Sequence, residues 1–192
     1  MNTLALRTAY QHELLTEKDL TQVCAAHHPI SFSKGAQIVE TDTIADGYLV
    51  LESGLIRSYV IDFNGKDITT NFFTQGEIVI EVSSLFQRIP AKESIEALTD
   101  CVGWKIDFQD FQKLFHTLEG FREWGRAWMA NSLFEFKQRS VAMIADSATE
   151  RYHKLMETKP EVFQHSSLKH IASYLGVTDT SLSRIRKETA KA

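Results

Sequence analysis

The chain has 192 residues, of which 43% are hydrophobic and 24% charged, and its formal net charge is −4. This composition is typical of a globular protein with room for one domain of ordinary size and a smaller second one. An acidic chain is not expected to coat nucleic acid indiscriminately. No apolar run approaches 18 residues and the N-terminus has no basic-then-apolar leader, so the sequence predicts a cytoplasmic protein without membrane contact.

The cysteine and histidine patterns favour neither a metal site nor a redox centre. Cys24 and Cys101 lie far apart without a CxxC motif, which predicts buried free thiols. His27 and His28 are adjacent, so in an extended segment their side chains would lie on opposite faces. Neither an HxH pair nor a set of nucleophile, base and orienting group can be assembled, so we predict no metal and no enzyme.

The first part of the chain predicts one helix followed by a series of strands. A helix over 14–26 is opened by Thr16 with Asp19 three residues on, which resembles a capping box. Alternating or β-branched runs follow, with turn residues between them, and Asn64-Gly65 is the strongest hairpin signal. The predicted strands are 37–40, 48–52, 55–61, 67–73, 78–82, 94–98 and 102–106. Short strands at this spacing imply an antiparallel roll or sandwich.

Two helices are predicted after the strands, a short one over 108–115 and a long one over 118–148. The apolar side chains of the long helix are spread over more than one face, so one side could pack on the roll and another on a second subunit. The alternative, a helix buried within a single subunit, stays open. The residues assigned to this dimer helix are Phe121, Trp124, Trp128, Leu133 and Phe136.

The segment 168–187, LKHIASYLGVTDTSLSRIRK, has the layout of a DNA-binding helix-turn-helix. Leu168, Ile171, Ala172 and Leu175 share one face of a first helix, and Gly176 suits the left-handed conformation that ends it. Thr178 is a good N-cap for a second helix, whose buried stripe holds Leu182 and Ile185. The exposed face of this second helix would carry Asp179, Thr180, Ser183, Arg184 and Lys187.

Charge is distributed unevenly between the two parts of the chain. Residues 151–192 contain eight Lys or Arg and four Asp or Glu, a net charge of +4, whereas residues 1–150 have a net charge of −8. Phosphate contacts supply most non-specific affinity for DNA, so a binding module needs positive charge. The positive charge lies where the helix-turn-helix is predicted.

The order of roll, long helix and helix-turn-helix resembles the Crp/Fnr family of bacterial transcription regulators. The resemblance rests on the following residues: Lys34-Gly35, the run from Tyr48 to Leu51 followed by Gly54 to Arg57, Gly76-Glu77, Ile95 to Leu98, Glu150 to Tyr152, and the 168–187 motif. The resemblance implies an α+β fold with an N-terminal antiparallel β-roll of the double-stranded β-helix or jelly-roll type. A long dimerisation helix and a C-terminal, winged-helix-like helix-turn-helix domain would follow.

The implied domains are a cyclic-nucleotide-binding-like sensor roll over 1–117, the dimer helix over 118–148, and the DNA-binding domain over 149–192. The resemblance implies a homodimer that binds a palindromic operator in double-stranded DNA and works with RNA polymerase. Lys187 and Lys169 would contact phosphates. Arg184 could donate two hydrogen bonds to one guanine. The residues facing the major groove would be Thr178, Asp179, Thr180, Ser183 and Arg184.

Members of that family that bind cyclic AMP have a phosphate-binding cassette. This sequence departs from the pattern of that cassette. Glu81-Val82-Ser83 replaces the Gly-Glu-Leu-Gly-like turn and loses both glycines. Alignment on the strand from Ile95 to Leu98 puts Ala91 at the arginine position, whereas a shift of two residues that matches Ser94 puts Glu93 there. Neither neutralises a phosphate. We therefore expect no cofactor and an effector other than cyclic AMP, in a pocket near Glu81, Val82, Ser83, Ala91, Lys92, Glu93 and Ser94.

Two further expectations concern the end of the chain. Little sequence follows the recognition helix, so wing contacts to DNA are not expected, although 162–164 could form a strand before the motif. The acidic Asp179 at a recognition position leaves an alternative function open. In that alternative the chain is a ligand-binding or protein-interaction module that has lost DNA binding.

Overall fold

The computed structural model describes residues 4–189, which form eight strands and nine helices within that range. The helices are α1 (Leu4–Ala9), α2 (Glu17–Ala25), α3 (Val82–Gln87), α4 (Phe108–Thr117), α5 (Glu119–Ala145), α6 (Ala148–Thr158), α7 (Glu161–His165), α8 (Leu168–Leu175) and α9 (Asp179–Thr189). The strands are β1 (His28–Phe32), β2 (Gln37–Val39), β3 (Gly47–Ser53), β4 (Ile56–Ile61), β5 (Asp67–Phe73), β6 (Ile78–Val79), β7 (Ser94–Ala97) and β8 (Cys101–Asp107).

The strands form two four-stranded antiparallel sheets, which confirms the predicted α+β fold with a β-roll. The first sheet has the order β1-β8-β3-β6 and the second has the order β2-β7-β4-β5. One apolar cluster lies between the sheets and includes Leu49, Leu51, Ile56 and Ile95, all at most 3% exposed. Alternation along each strand places these residues on the inner faces.

A second apolar cluster fastens the helices to the first sheet. Tyr48 and Ile106 of the sheet pack against Phe111 of α4 and against Phe121 and Trp124 of α5. The N-terminal half of α5 is therefore part of the core of the roll. Among residues 4–189, no helix is both long and apolar enough to cross a membrane.

The same cluster contains a buried chain of polar groups at Tyr48, Tyr10 and His27. The Nδ1 of His27 lies 2.7 Å from the Val23 carbonyl oxygen, so Nδ1 must carry the hydrogen and donate it. The Nε2 atom then accepts from the Tyr10 hydroxyl at 2.8 Å, and Tyr10 accepts from the Tyr48 hydroxyl at 2.8 Å. Burial lowers the pKa of His27 to about 4. Every polar atom of this chain is satisfied while His27 stays neutral.

Most of the predicted elements are present, and two predictions are wrong. The strand predicted over 78–82 ends at Val79, because the Glu81 side chain accepts a hydrogen bond from the Ser84 amide and so starts α3. The strand considered over 162–164 is helical and lies within α7. The capping box at Thr16 and Asp19 is confirmed, as is the Asn64-Gly65 turn between β4 and β5.

Five elements had no counterpart among the predicted ones, namely α1, α3, α6, α7 and β1. β1 contains Pro29, which donates no backbone hydrogen bond, but β1 lies at the edge of its sheet and needs partners on one side only. Gly54, between β3 and β4, has a φ of 104°. A Cβ there would lie 2.5 Å from the Cys101 sulfur, so both the conformation and the close approach require glycine.

Candidate DNA interface and effector region

The α8–α9 pair has the predicted helix-turn-helix layout. Ser167 caps α8, and Gly176 ends it in the left-handed conformation with a φ of 68°. The Val177 amide donates back to the Ala172 carbonyl at 3.0 Å, as expected for a Schellman-type turn. The Thr178 hydroxyl accepts from the Ser181 amide at 3.2 Å and caps α9. A Cβ on Gly176 would lie 2.6 Å from the Cε of Met143, so α5 restricts this position as well.

The two helices expose the predicted recognition face and bury the predicted stripe except for Leu168, which is 41% exposed. Ile171, Ala172, Leu175, Leu182 and Ile185 are buried in one cluster. Within residues 4–189, neither Arg184 nor Lys187 forms an ion pair. The seven residues assigned to DNA contacts are all solvent-exposed, namely Lys169, Thr178, Asp179, Thr180, Ser183, Arg184 and Lys187.

The helix-turn-helix module is held against the second sheet of the roll. Phe72, Leu55 and Leu98 of the roll share one apolar cluster with the helices of the module. The ammonium of Lys159 donates to both carboxylate oxygens of Glu77 at 2.8 Å. The Thr69 amide donates to the Ser173 hydroxyl at 3.1 Å. These contacts couple the position of α8 to β5.

Arg139 is a further link, because it joins α5, β5 and α8. Its guanidinium donates to the Thr70 carbonyl and to the Tyr174 carbonyl. The same group lies over the Tyr174 ring at 3.9 Å from the centroid. Sequence reasoning did not predict these links of Arg139 and Lys159, because each meets a partner that is at least 35 residues away in sequence.

A buried ion-pair network on the second sheet is centred on Arg57, which is one of the residues on which the family resemblance rests. Its guanidinium donates to both carboxylate oxygens of Asp67 and to one oxygen of Glu96, each at 2.6 Å. The hydrogen bonds from Arg57 lower the pKa of Asp67. Only 3% of the Arg57 side chain is exposed, so the network is a structural connection between β4, β5 and β7.

The region predicted for the effector is closed by contacts within the chain. Glu81 is buried, and its two carboxylate oxygens accept from the Ser84 amide and the Ser83 hydroxyl. The loop 41–46 covers the segment that follows, because Asp42 donates to the Ala91 carbonyl at 3.0 Å and Ala91 donates to the Thr43 carbonyl at 2.8 Å. Each carboxylate oxygen of Glu81 therefore already accepts one hydrogen bond from within the chain.

Two basic residues lie at or near this region, Arg88 and Lys92. Arg88 donates to the Ala45 carbonyl at 2.7 Å and lies over the Phe108 ring, 4.2 Å from its centroid. Lys92 is solvent-exposed, as is Val82. Glu93 accepts from the Thr70 hydroxyl at 3.0 Å, so a carboxylate is held inside the region. Ser94 is buried, and its hydroxyl accepts from the Thr41 amide at 3.1 Å.

The dimer-helix assignment is only partly compatible with the structure. Phe121 is 0% exposed and Trp124 is 6% exposed, because both pack on Tyr10 and Phe111 within the same chain. These two residues face the roll, so assigning them to a subunit interface was wrong. Trp128 is half-buried, whereas Leu133 and Phe136 are 69% and 70% exposed.

Within residues 4–189, no group of three His, Cys, Asp or Glu could hold a metal ion.

Comparison with known proteins agrees with this architecture. Residues 29–117 match the cyclic nucleotide-binding domain family. No curated protein matches the chain. Among solved structures, FixK2 from Bradyrhizobium japonicum superposes with a TM-score of 0.74 at 20% identity, over 86% of this chain and 85% of that one. A protein assigned to the Crp/Fnr family of transcriptional regulators, from Eubacterium rectale, has a TM-score of 0.71 at 17% identity, over 92% and 85%.

The chain has the Crp/Fnr regulator fold. The c-di-GMP responsive global regulator CLP from Xanthomonas campestris shares it as well, with a TM-score of 0.71, 16% identity and 92% of each chain covered. At these identities the likeness concerns the fold alone. The Crp/Fnr fold accounts for the order of roll, long helix and helix-turn-helix.

Proposed function

We propose that this protein is a homodimeric, sequence-specific DNA-binding transcription regulator of the Crp/Fnr type. The observation that carries the proposal is the exposed polar face of α9 on a helix-turn-helix within that fold. A recognition helix must present its polar side chains to base edges, and Arg184 and Ser183 are free to do so. In this proposal the regulator works in the cytoplasm, where it meets DNA and RNA polymerase.

The C-terminal half of α5 is the proposed interface between the two subunits of the dimer. Large apolar side chains there are exposed at coiled-coil-like spacing, which a second copy of the same helix would cover. Met129, Leu133 and Phe136 are 39%, 69% and 70% exposed, and Ile144 further along is 89% exposed. A two-fold dimer of this kind would bind a palindromic operator with half-sites about one DNA turn apart.

The proposed effector is a small molecule other than cyclic AMP. A buried phosphodiester needs a cationic partner, since leaving it unpaired costs several kcal/mol. In the cassette region the available arginine is engaged with Ala45 and Phe108, and Glu93 supplies a negative charge. No cofactor is proposed.

The test is selection of bound duplexes from a random DNA library, with and without cyclic AMP. We expect one palindromic site, enriched equally in both conditions. Arg184→Ala should cost about 1–3 kcal/mol and relax the preference at one base position. Arg186→Ala is the matched control, because it removes the same charge from the opposite side of the exposed helix.

Three outcomes would count against the proposal in different ways. An unchanged base preference in Arg184→Ala would remove this residue from base readout. Enrichment only with cyclic AMP would overturn the proposed effector class. Negligible, salt-insensitive binding to any duplex would favour the alternative, an interaction module that has lost DNA binding.

A further inference from the structure

A cavity of about 390 Å³ opens between the two sheets, on the side of β1 and β2. It extends from these strands to β3, β6 and the loop 40–46. None of the seven residues assigned to the effector region lines it, although Ile80 is adjacent in sequence to Glu81. The cleft therefore adjoins the cassette and shares the loop 40–46 with it, but its wall consists of other residues.

The cleft collects large apolar side chains that are incompletely buried. Single half-exposed apolar residues are ordinary on a protein surface, whereas here five of them line one concave site together with polar groups. Its volume lies in the range of small-molecule pockets, which are mostly apolar with a few polar groups. The half-buried apolar residues on its wall are Ile30, Phe32, Ile38, Val39 and Ile80.

The charges around the cleft disfavour an anionic ligand. Lys105 is the cation on the wall, and its ammonium is already paired with Asp107 at 2.8 Å. Glu40 and Asp46 are exposed carboxylates on the same wall, so its formal net charge is −1, and Asp46 is paired at 3.9 Å with Arg88 from outside the wall. A carboxylate or phosphate would meet like charges without a free cation.

We propose that this cleft binds a small, uncharged, mainly apolar molecule. The apolar wall supplies the binding free energy by removing apolar surface from water. Gln37 and Thr43 are on the wall and can orient one polar group of the ligand. Use of this ligand as an effector rests on the proposed function, whereas binding itself does not depend on DNA.

The first measurement is a titration of the full chain with 1-octanol, followed by the isoleucine methyl signals in NMR spectra without DNA. Saturable shifts are expected at the isoleucines that line the cleft and not at Ile61, Ile144 or Ile171, which lie elsewhere. Shifts spread over both groups, or no saturable shift at all, would overturn the proposal. The cleft isoleucines are Ile30, Ile38, Ile44, Ile80 and Ile95.

A second measurement tests the ligand class and the site. Octanoate has the same chain with a negative charge, and it should bind about tenfold more weakly, which corresponds to ~1.4 kcal/mol. Ile38→Trp should abolish the octanol shifts by filling the cleft, while Ile61→Trp makes the same change at a position that is 59% exposed and should leave them intact.

Equal affinity for octanol and octanoate would refute the uncharged class. Undiminished binding by a folded Ile38→Trp protein would refute the site. If Ile38→Trp fails to fold, the wild-type methyl shifts still decide. Because the titration contains no DNA and the duplex selection contains no octanol, failure of this proposal and failure of DNA binding are separate results.

Discussion

The two halves of α5 have similar apolar content but lie in opposite environments. In the first half, Phe121 and Trp124 are buried against Tyr10, and the Trp124 indole donates to the Ala9 carbonyl at 2.9 Å. In the second half, Leu133 and Phe136 are about 70% exposed. A single helix is therefore a core element of the roll at one end and an unpaired apolar surface at the other.

This difference shows that an aromatic-rich helix does not have one role along its length. The first half is covered because α1, α4 and the first sheet surround it. The second half contacts β5 of the roll through Arg139, and it contacts the helix-turn-helix module through Arg139 and Met143. Changes in the first half should affect the folding of the roll, whereas changes in the second should affect association and docking.

The largest effect is expected for Trp124→Ala in the buried half. Removing this buried indole leaves a cavity and deletes its hydrogen bond, so the free energy of unfolding should fall by about 3–5 kcal/mol. Urea denaturation measures this loss. Phe63→Ala, at an aromatic position that is 97% exposed, is the control and should change the value by less than about 0.5 kcal/mol. A loss below about 1 kcal/mol for Trp124→Ala would contradict its place in the core.

The next effect is a pH dependence that arises from His27, beneath the same half of α5. Its folded pKa of about 4 lies below the unfolded value of about 6.5, so the unfolded chain takes up the proton first as the pH falls. Stability contributed by neutral His27 is complete above pH 6.5 and is lost between pH 6.5 and 4, by about 3 kcal/mol.

Urea denaturation at several pH values checks this dependence. His27→Gln should remove the His27 contribution in that pH window, while His28→Gln, at the exposed neighbouring position, should retain it. The same slope in both variants would assign the pH dependence to other groups.

A smaller effect is expected for Arg139→Ala in the second half. This variant loses two carbonyl contacts and the position over the Tyr174 ring, so the helix-turn-helix module should be bound to the roll about 1–2 kcal/mol less tightly. Hydrogen exchange of the α8 amides measures the change. Arg126→Ala removes an exposed arginine that pairs only within α5, and it should leave exchange in α8 unchanged.

The smallest effect on the stability of one chain is expected for Phe136→Glu. Because this side chain is exposed, the free energy of unfolding of the isolated chain should change by less than about 0.5 kcal/mol. The charge would nevertheless lie in the proposed subunit interface, so the dimer should dissociate in sedimentation experiments. Gln138→Glu, an exposed position of the same helix, is the control. A Phe136→Glu protein that remains dimeric would place the interface elsewhere.

The elements with strong local signals could be predicted from the sequence. The β5 strand and the Asn64-Gly65 turn were predicted from neighbouring residues, and the structure has both. The helix-turn-helix was predictable for the same reason, since Gly176, Thr178 and the buried stripe lie within 20 residues. β1 and α3 were missed because an edge position tolerates Pro29 and because the Glu81 cap replaces a strand by a helix.

In the candidate effector region, some features could be seen in the sequence, whereas others depend on contacts between distant residues. The loss of both glycines and of the arginine was visible in the residues from Glu81 to Ser94. The covering loop 41–46 and the engagement of Arg88 depend on contacts over about 40 residues of sequence, which no local pattern encodes. The cleft lined by Ile30 and Ile38 arises in the same way, because its wall belongs to both sheets.

The sequence by itself determined the alternation of the strands, the polar face of α9 and the missing cationic partner of a phosphate. These properties follow from periodicity, capping and side-chain chemistry, which act between near neighbours. Only the tertiary structure decided which half of α5 is buried, how Arg139 and Lys159 hold the module, and where a cavity remains. Burial depends on which surfaces meet, and that is a property of the assembled sheets and helices.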